Sequence, residues 1–541
     1  MFSVGEDLLS TLADDILRRI LHFVPFKEAA STSVLSLRWR SLWRTSGAVN
    51  LDVRVPYNVA KHGSLYSLRN ELFFAHRDAF VRAAEAALDA ADARVTRLTL
   101  RVDDPKGDHT YKFLHVDSTG NWSTKNDVVR DLLSRRAARR IEELRVAAVR
   151  PGMDASSFPH NEEEHDRFKR TCKLRLRSMR FKALRILDLT RCKGLKQASA
   201  ADALPRLETL WLRLCSLTSV NVQALLDAVP RLANVHLERV FFRANRTGVA
   251  KAPGVCLRCP AVTKLVMEFC GMKGQERSRV DRGFFEIDAP RLRYLRYKGS
   301  ERQFSLASLV PDMAVLELSF LQGPYHCQDR DYDPDRTRVL FWQFVQNFTS
   351  VKVLKLKVNN LKDIAMDKAR RGKLLCTFHN AVRLELEGAH HPTSSKAAAV
   401  AIANLLRCCP AVCELRLKLS TVPSDAKEYL SSFLERKGQL DYENSLDRFI
   451  HRHRLNPAIP LDDKDKHDEV PDGIPGLSGH SLTCLESSLR RVALQFHMDN
   501  PSCFGARLAL LQKNINGGGF LALTETVFAT VSKLGSLLII D

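Results

Sequence analysis

The chain contains 541 residues, of which 45% are apolar, and it carries a formal net charge of +21 at pH 7. The apolar fraction is that of a globular protein and excludes a largely disordered one, and the length exceeds that of one ordinary compact core. We therefore expect several domains or a repeat array.

The N-terminal residues and the cysteines indicate an intracellular protein. Residues 1–7 contain no apolar run, and no stretch of about 18 uncharged apolar residues follows, so neither a signal peptide nor a membrane span is expected. The 13 cysteines are then expected to be reduced thiols that pack as small apolar residues. We expect residence in the nucleus and/or the cytoplasm.

The first predicted element is a group of three short helices in residues 8–52, which read LLSTLADDILRRILHFVPFKEAASTSVLSLRWRSLWRTSGAVNLD. Apolar residues at helical spacing predict a first helix that ends before Pro25, because proline lacks the N–H and clashes with the preceding turn. A second helix passes through Ala29, and a third carries Trp39 and Trp43. Three such helices bury little surface alone, so we expect a partner or a neighbouring domain to cover them.

This segment resembles the F-box, the adaptor-binding motif of SCF-type (Skp–cullin–F-box) ubiquitin ligases, and covers about a tenth of the chain. Its end, TSVLSLRWRSLW, is especially similar to plant F-box proteins that carry leucine-rich repeats and often an FBD-type segment. Two positions depart from that family, which usually has Pro where this chain has Ala13 and Lys where it has Leu37. The missing proline removes a residue that favours the first helical turn. The resemblance implies docking to a Skp-type adaptor, and through it to a cullin, with candidate contacts at Leu12, Ile16, Leu17, Ile20, Leu21, Pro25, Leu35 and Trp39.

Residues 53–94 are predicted to form a helical linker between the F-box and the repeats. Apolar side chains recur on one side of a predicted helix from Leu65 to Leu88, at Leu68, Leu72, Phe73, Phe80, Val81 and Ala84. Such a helix would cap the open end of a repeat array, which solenoids require.

Residues 95–420 repeat the pattern LxxLxL. Its central position recurs at intervals of roughly 20–29 residues, the period of leucine-rich repeats, as at Leu187, Leu210, Val235, Leu265, Leu295 and Leu316. One strand-plus-helix unit cannot bury its own apolar face, whereas a stack of units forms a continuous core. The sequence therefore predicts an α/β fold in which a three-helix F-box is followed by a leucine-rich-repeat solenoid, or horseshoe.

The strand residues between the leucines are predicted to point out of the core and to line the concave face of this solenoid. Their charges are nearly balanced, whereas a nucleic-acid groove would be expected to carry one sign of charge and aromatic platforms. Mixed charge favours a protein target. Since Trp, Tyr and Arg dominate interface hot spots, the candidate target contacts include Trp211, Arg213, His236, Tyr294, Arg296 and Lys355. Packing beneath a neighbouring loop is an equal alternative for Trp211.

The repeat pattern is lost at the C-terminal end and returns once. Residues 421–480 are predicted to form a helix followed by a charged loop rich in Pro and Gly. Residues 481–510 resume the repeat and resemble the start of the FBD-type region. Residues 511–541 diverge from that family and are interpreted as an altered or truncated tail.

No motif in the chain predicts catalysis, a metal site or a cofactor. Cys256-x-x-Cys259 and Cys408-Cys409 could suggest zinc ligands, but CLRCPAV and LLRCCPAV show the same repeat position twice, so the cysteine that recurs before the proline is interpreted as a buried small residue. The glycines at 517–519 lack the pattern of a phosphate-binding loop.

These observations favour a non-enzymatic substrate-recognition subunit of an SCF-type ubiquitin ligase that binds a protein target through its repeats. A first alternative is a scaffold or binding protein that has lost its coupling to the ligase, which Ala13 and the divergent tail suggest. A second is nucleic-acid binding through the basic residues between Arg130 and Arg185. The simpler interpretation of these residues is that they form an ordinary solvent-exposed surface.

Overall fold

A computed structural model describes residues 9, 11–56, 64–91, 95–104, 109–116, 127–149, 172–173, 181–193, 204–243, 254–273, 284–320, 334–366, 368–390, 395–421, 488–498 and 507–514. The helices are α1 Asp14–Leu21, α2 Phe26–Ser31, α3 Trp39–Leu42, α4 Ser64–Ala90, α5 Thr110–His115, α6 Val128–Ser134, α7 Ser219–Asp227, α8 Pro334–Gln346, α9 Lys368–Leu374 and α10 Ser395–Cys408. Short 3₁₀ helices span Thr32–Val34, Ala137–Arg140 and Leu361–Ile364. Of the helices described, none is long and apolar enough to cross a membrane.

The strands from the N-terminus to the middle of the chain are β1 Ala48–Arg54, β2 Arg97–Asp103, β3 Glu143–Val149, β4 Cys172–Lys173, β5 Ile186–Thr190, β6 Cys192–Lys193, β7 Thr209–Arg213, β8 Ser216–Thr218, β9 Asn234–Glu238, β10 Phe241–Arg243 and β11 Gly254–Arg258. The remaining strands are β12 Lys264–Glu268, β13 Gly271–Lys273, β14 Phe284–Asp288, β15 Tyr294–Gly299, β16 Phe304–Leu306, β17 Val315–Phe320, β18 Val353–Asn360, β19 Arg383–His390, β20 Glu414–Thr421, β21 Arg491–Met498 and β22 Arg507–Asn514. The fold is thus mixed α/β, as the sequence predicts.

One sheet of 14 strands runs through the described part of the chain in the order β1-β2-β3-β5-β7-β9-β12-β15-β17-β18-β19-β20-β21-β22. Neighbouring strands are parallel, except that β22 is antiparallel to β21. The order follows the chain, so each pass adds its strand beside the previous one. The edge strands β1 and β22 are not paired with each other, and the sheet therefore does not close into a barrel.

The apolar positions of the LxxLxL pattern lie in register across this sheet and form its buried side. In β7, Leu210 and Leu212 are fully buried while Thr209, Trp211 and Arg213 between and beside them are only half-buried. The two-residue alternation of a strand produces this division. The central position of the pattern aligns from strand to strand at Leu187, Leu210, Val235, Leu265, Leu295, Leu316, Leu354, Leu384, Leu415 and Val492. We call the opposite, outward side of the sheet its polar face.

The connections between strands cover the buried side. They include two parallel three-stranded sheets, β8-β10-β13 and β11-β14-β16, together with α7, α8 and α10. Phe242, Phe285 and Trp342 from these connections belong to the same apolar cluster as the strand leucines. The core is therefore continuous from β1 to β21, because each unit completes the burial of its neighbours.

Several strands end in the same turn. The residue after the strand takes a left-handed φ of 51–55° at Arg191, Leu214, Arg239 and Phe269. Although non-glycine residues pay roughly 1–2 kcal/mol for this conformation, each of these N–H groups donates to the end of the next sheet strand, as from Leu214 to the Glu238 carbonyl at 2.8 Å. A buried thiol follows in three of these turns and donates to backbone carbonyls, at Cys192, Cys215 and Cys270.

The helices before residue 48 attach directly to the first strand of the sheet. The Asn50 side chain in β1 donates to the carbonyls of His22 at 2.9 Å and Val24 at 3.0 Å, at the end of α1. The guanidinium of Arg97 lies 4.8 Å from the centre of the Phe23 ring. The sheet therefore begins at Ala48, inside the predicted residues 1–52 and well before the predicted first repeat at residue 95.

The predicted linker helix exists as α4, but its buried side differs in one position from the prediction. Phe73, Phe80 and Ala84 are buried as expected, whereas Leu72 is 62% exposed. The side chain of Leu68 lies outside the described residues.

At the C-terminal end, Leu489 and Val492 are buried where the sequence predicts a resumed repeat, and β21 extends the sheet. β22 crosses the predicted boundary at residue 510 and pairs antiparallel with β21. Most of the predicted helix and loop of residues 421–480, and residues 515–541 of the predicted tail, lie outside the described residues.

We predict that Asn50→Ala lowers the thermal unfolding midpoint, because the carbonyls of His22 and Val24 lose their donor at the junction between helices and sheet. The cost should be on the order of 1–3 kcal/mol. Differential scanning calorimetry of the full chain measures it. The exposed Asn380 before β19 supplies the control, since Asn380→Ala should leave the midpoint unchanged; equal shifts in both variants would contradict this account of the junction.

Candidate protein-interaction surfaces

The residues predicted to contact an adaptor divide into a buried set and an exposed set. Leu17, Leu21 and Trp39 are at most 7% exposed and form a small separate core with Ala29 and Leu42. These three side chains hold α1, α2 and α3 together, so the structure places these predicted contacts in the core of the helical group. Leu12 is partly buried against the same core, and the half-buried Pro25 immediately precedes α2.

The exposed set lies at the surface of α1 and of the segment after α2. Ile16 and Ile20 are 48% and 44% exposed and lie one turn apart on α1. Leu35 is 62% exposed, and Val34 and Leu37, which the predicted contacts did not include, are more exposed still. We define the apolar patch as Ile16, Ile20, Val34, Leu35 and Leu37.

Exposed apolar side chains are concentrated in this region. Seven of the eleven large apolar side chains that are exposed in the described residues lie between residues 9 and 37. Scattered exposed apolar residues are ordinary, but a concentration of them marks an interaction site. The N-terminal helices therefore present a surface suited to a protein partner.

Arg38 fastens the segment after α2 to the start of α1. Its Nε lies 2.7 Å from Asp14 Oδ1, and its guanidinium also contacts the Leu12 carbonyl. Asp14 and Asp15 stand in the first turn of α1, where negative charge is favoured by the helix dipole. The ion pair thereby joins the segment that contains Leu35 and Leu37 to the first turn of α1.

Ala13 precedes α1 in an extended conformation with φ −65° and ψ 150°, and its side chain makes no capping hydrogen bond. Proline fixes φ near −65°, so the backbone already has the conformation that the family's usual proline would impose. Helix α1 forms without it.

On the polar face, Trp211 and His236 stack on each other with their ring centroids 3.6 Å apart and a 12° angle between the rings. The Arg213 guanidinium lies 4.6 Å from the Trp211 centroid and pairs with Asp188 at 3.3 Å and with Glu238 at 3.6 Å. Three of the predicted target contacts are thus brought together, but they are engaged with one another. The LxxLxL register places Trp211 and His236 at equivalent positions of neighbouring repeats, but it does not show that their rings stack.

Burial shifts the pKa values of two groups in this cluster. It lowers the pKa of His236 from 6.5 to about 4, with further lowering from the positive charges of Lys264 and Arg213. Burial also raises the pKa of Asp188, against the opposing charge of Arg213. His236 is therefore a neutral ring at pH 7, suited to stacking.

The other predicted target contacts, Tyr294, Arg296 and Lys355, converge on one carboxylate. Tyr294 donates to Glu317 at 2.8 Å, while Arg296 and Lys355 approach the same carboxylate at 3.5 and 3.4 Å. Arg296, Glu317 and Lys355 line a pocket of about 570 Å³ on the polar face that also includes Lys357, Glu385, Glu387, Glu414, Arg416, Lys418 and Arg491. Trp211, Arg213 and His236 are not among its lining residues.

The cysteines do not assemble a metal site in the part of the chain that the structure describes, where no group of three or more His, Cys, Asp or Glu side chains could hold an ion. Burial raises the pKa of Cys259 to about 12 and that of Cys408 to about 12. Buried, protonated thiols are poor ligands and poor nucleophiles.

Comparison with known proteins assigns the N-terminal helices. A family model for the F-box domain matches residues 9–47, which end where the sheet begins. An F-box/LRR-repeat protein of Arabidopsis thaliana is 50% identical over 56 residues, 10% of this chain and 15% of the relative. An FBD-associated F-box protein of the same plant is 45% identical over 51 residues, 9% and 11% of the two chains. An F-box/FBD/LRR-repeat protein is 32% identical over 77 residues, 14% and 17%.

The chain therefore carries an F-box domain at its N-terminus. Its similarity to the plant proteins named for F-box, FBD and LRR segments lies in that region, and the matches span less than a fifth of the length of these relatives. F-box domains generally bind Skp-type adaptors.

We predict that Ala13→Pro raises the free energy of unfolding of the F-box helices by about 0.4–1 kcal/mol, since it restricts the unfolded chain without straining the folded one. Urea unfolding of the full chain measures it. Ala365 is the matched control: its φ is also near that of proline, at −68°, but its N–H donates to Lys362, so Ala365→Pro should destabilise. A loss of stability with Ala13→Pro would contradict the conclusion that the backbone at Ala13 already has the conformation of a proline.

We predict that His236 makes the protein less stable as the pH falls from 6.5 toward 4. In that window the unfolded chain binds a proton that the folded state, with its pKa near 4, does not, so the free energy of unfolding decreases by about 1–3 kcal/mol. His236→Phe keeps a ring against Trp211 but removes the titration. Urea unfolding at several pH values should show that the free energy of unfolding of this variant depends less on pH than that of the native chain. The same dependence in both would refute the lowered pKa of His236.

Proposed function

We propose that this protein is the substrate-recognition subunit of an SCF-type ubiquitin ligase. The F-box at 9–47 docks on a Skp-type adaptor, and the polar face of the sheet holds a protein target. The single observation that carries the proposal is the concentration of exposed apolar side chains within the F-box, on a domain whose own core is complete without them.

The fold after the F-box is a leucine-rich-repeat solenoid in this proposal. In-register parallel strands in chain order, the LxxLxL apolar ladder and the shared turn with its buried thiol support it. The units run from β1, close to the F-box, with α4 covering the first strands. Within residues 481–510, β21 and the start of β22 extend the array as an FBD-like end.

The role of such a subunit is proximity and orientation rather than chemistry. Proteins that combine an F-box with leucine-rich repeats are typically adaptors. A conjugating enzyme recruited through the cullin would transfer ubiquitin to the target held by the repeats. The nucleus and/or the cytoplasm is the proposed site of action.

We predict that Ile20→Asp combined with Leu35→Asp lowers affinity for a Skp-type adaptor by on the order of 100-fold, because two exposed apolar contacts are replaced by charges. Titration calorimetry of the purified full chain with the adaptor measures this. Leu17→Ala would be a poor test, since Leu17 is fully buried and its loss would unfold the helices.

Leu309 supplies the matched control, since it is 90% exposed and lies far along the chain from the F-box. Leu309→Asp should bind the adaptor as the native chain does. Failure of the native chain to bind any Skp-type adaptor would favour a scaffold decoupled from the ligase, and unchanged binding by the double variant would overturn the proposed interface.

A further inference from the structure

The pocket on the polar face between β15 and β21 is lined by charges that alternate from strand to strand. In register, a first row runs Arg296, Glu317, Lys355, Glu385, Arg416. A second row runs Lys357, Glu387, Lys418, and the pair Glu414 and Arg491 completes the charged lining. Both rows begin and end with a cation and the pair is balanced, so the six cations of the lining exceed its four anions by two. We call these ten charged residues the charge pocket.

The carboxylates of the charge pocket are already engaged by their neighbours. Glu387 lies 3.4 Å from Lys418 and also contacts Lys357, and Glu414 lies 2.7 Å from Arg416 and 3.4 Å from Arg491. Burial alone would raise the pKa of Glu387, but the two ammonium groups hold it below its ordinary value. The pKa of Glu414 is likewise held below its ordinary value by its arginine neighbours, so Glu387 and Glu414 stay ionised at neutral pH and keep those cations in position.

The cations, in contrast, retain capacity for a ligand. The side chains of Lys357, Arg416 and Lys418 are about half exposed, and that of Arg491 is 63% exposed. An ammonium carries three N–H donors and a guanidinium five, more than the neighbouring carboxylates occupy. The surface therefore offers preplaced donors and an excess of positive charge, which is complementary to carboxylates.

The spacing of these cations selects a shape of ligand. They stand on alternate strands, and parallel strands are about 4.8 Å apart, so successive cations in a row are roughly 10 Å apart. A polyproline II segment rises about 3.1 Å per residue with three residues per turn, which brings every third side chain to the same side about 9 Å further on. In a β-extended segment, side chains on the same side recur about every 7 Å, which does not match the spacing of the cations.

We propose that the charge pocket binds an extended acidic segment of the target protein, with Asp or Glu at every third residue. This inference rests on the proposed function, in which the polar face holds the target, and names the chemistry recognised there. A single-stranded nucleic acid fits less well, because it requires aromatic platforms and the described lining residues include none.

The test uses fluorescence anisotropy of the full chain with a labelled peptide that repeats Glu-Pro-Pro. The expected result is binding that weakens with salt and is at least about 10-fold tighter than that of a peptide of the same composition with its glutamates consecutive. A Lys-Pro-Pro repeat should not bind. Equal binding of the spaced and the clustered peptide, or tighter binding of a single-stranded oligonucleotide, would overturn the proposal.

Two pairs of variants locate the site. Lys357→Met with Lys418→Met should lower peptide affinity by about 10-fold, whereas Arg206→Met with Arg231→Met, which removes two exposed cations from turns before β7 and β9, should not. If the first pair fails to fold by circular dichroism, Arg491→Met alone replaces it, with a smaller loss expected. Equal losses in the pocket and control variants would refute the site.

Adaptor binding, measured on the same preparations, separates the two proposals. Adaptor binding with no affinity for the spaced peptide refutes the charge pocket alone. Peptide affinity that depends on Lys357 and Lys418, without adaptor binding, supports the pocket and refutes the ligase role.

Discussion

The structure depends on one constraint: no single strand of the large sheet can bury its apolar side without its neighbours. Each unit adds one strand in register with the last, so that Leu210, Leu265 and Leu316 occupy equivalent buried positions. After β5, β7, β9 and β12, the chain leaves the sheet through the same left-handed turn. Because the apolar side is used for stacking, the polar face is left to vary, and its residues can evolve for recognition without disturbing the core.

The F-box obeys a different constraint, because its core is small and closed. Leu17, Leu21 and Trp39 satisfy that core, so the neighbouring Ile16 and Ile20 have nothing within the described chain to cover them. Asn50 ties the end of α1 to the first strand, which makes the orientation of the helices a property of the sheet.

Much of the fold follows from sequence periodicity, and much of the surface does not. The LxxLxL spacing placed the sheet strands from β2 to β21 and their buried positions, since period two and repeat length are local signals. Helical spacing identified the stripe that contains both Ile16 and Leu17, but it could not tell which residue faces the core and which faces outward. Leu72 was misplaced for the same reason. The Trp211–His236 stack and the charge pocket join equivalent positions of neighbouring repeats, which the LxxLxL register aligns, but spacing does not show which side chains stack or form ion pairs.

In the proposed function, the apolar patch of the F-box binds the adaptor and the polar face binds the target, so the two are separate surfaces on one framework. Hydrogen–deuterium exchange of the full chain, with and without a Skp-type adaptor, tests it most directly. The account predicts protection of amides between residues 14 and 42 on adaptor binding, with exchange in β15 to β20 unchanged. Protection within β15 to β20, or none in the F-box helices, would contradict it.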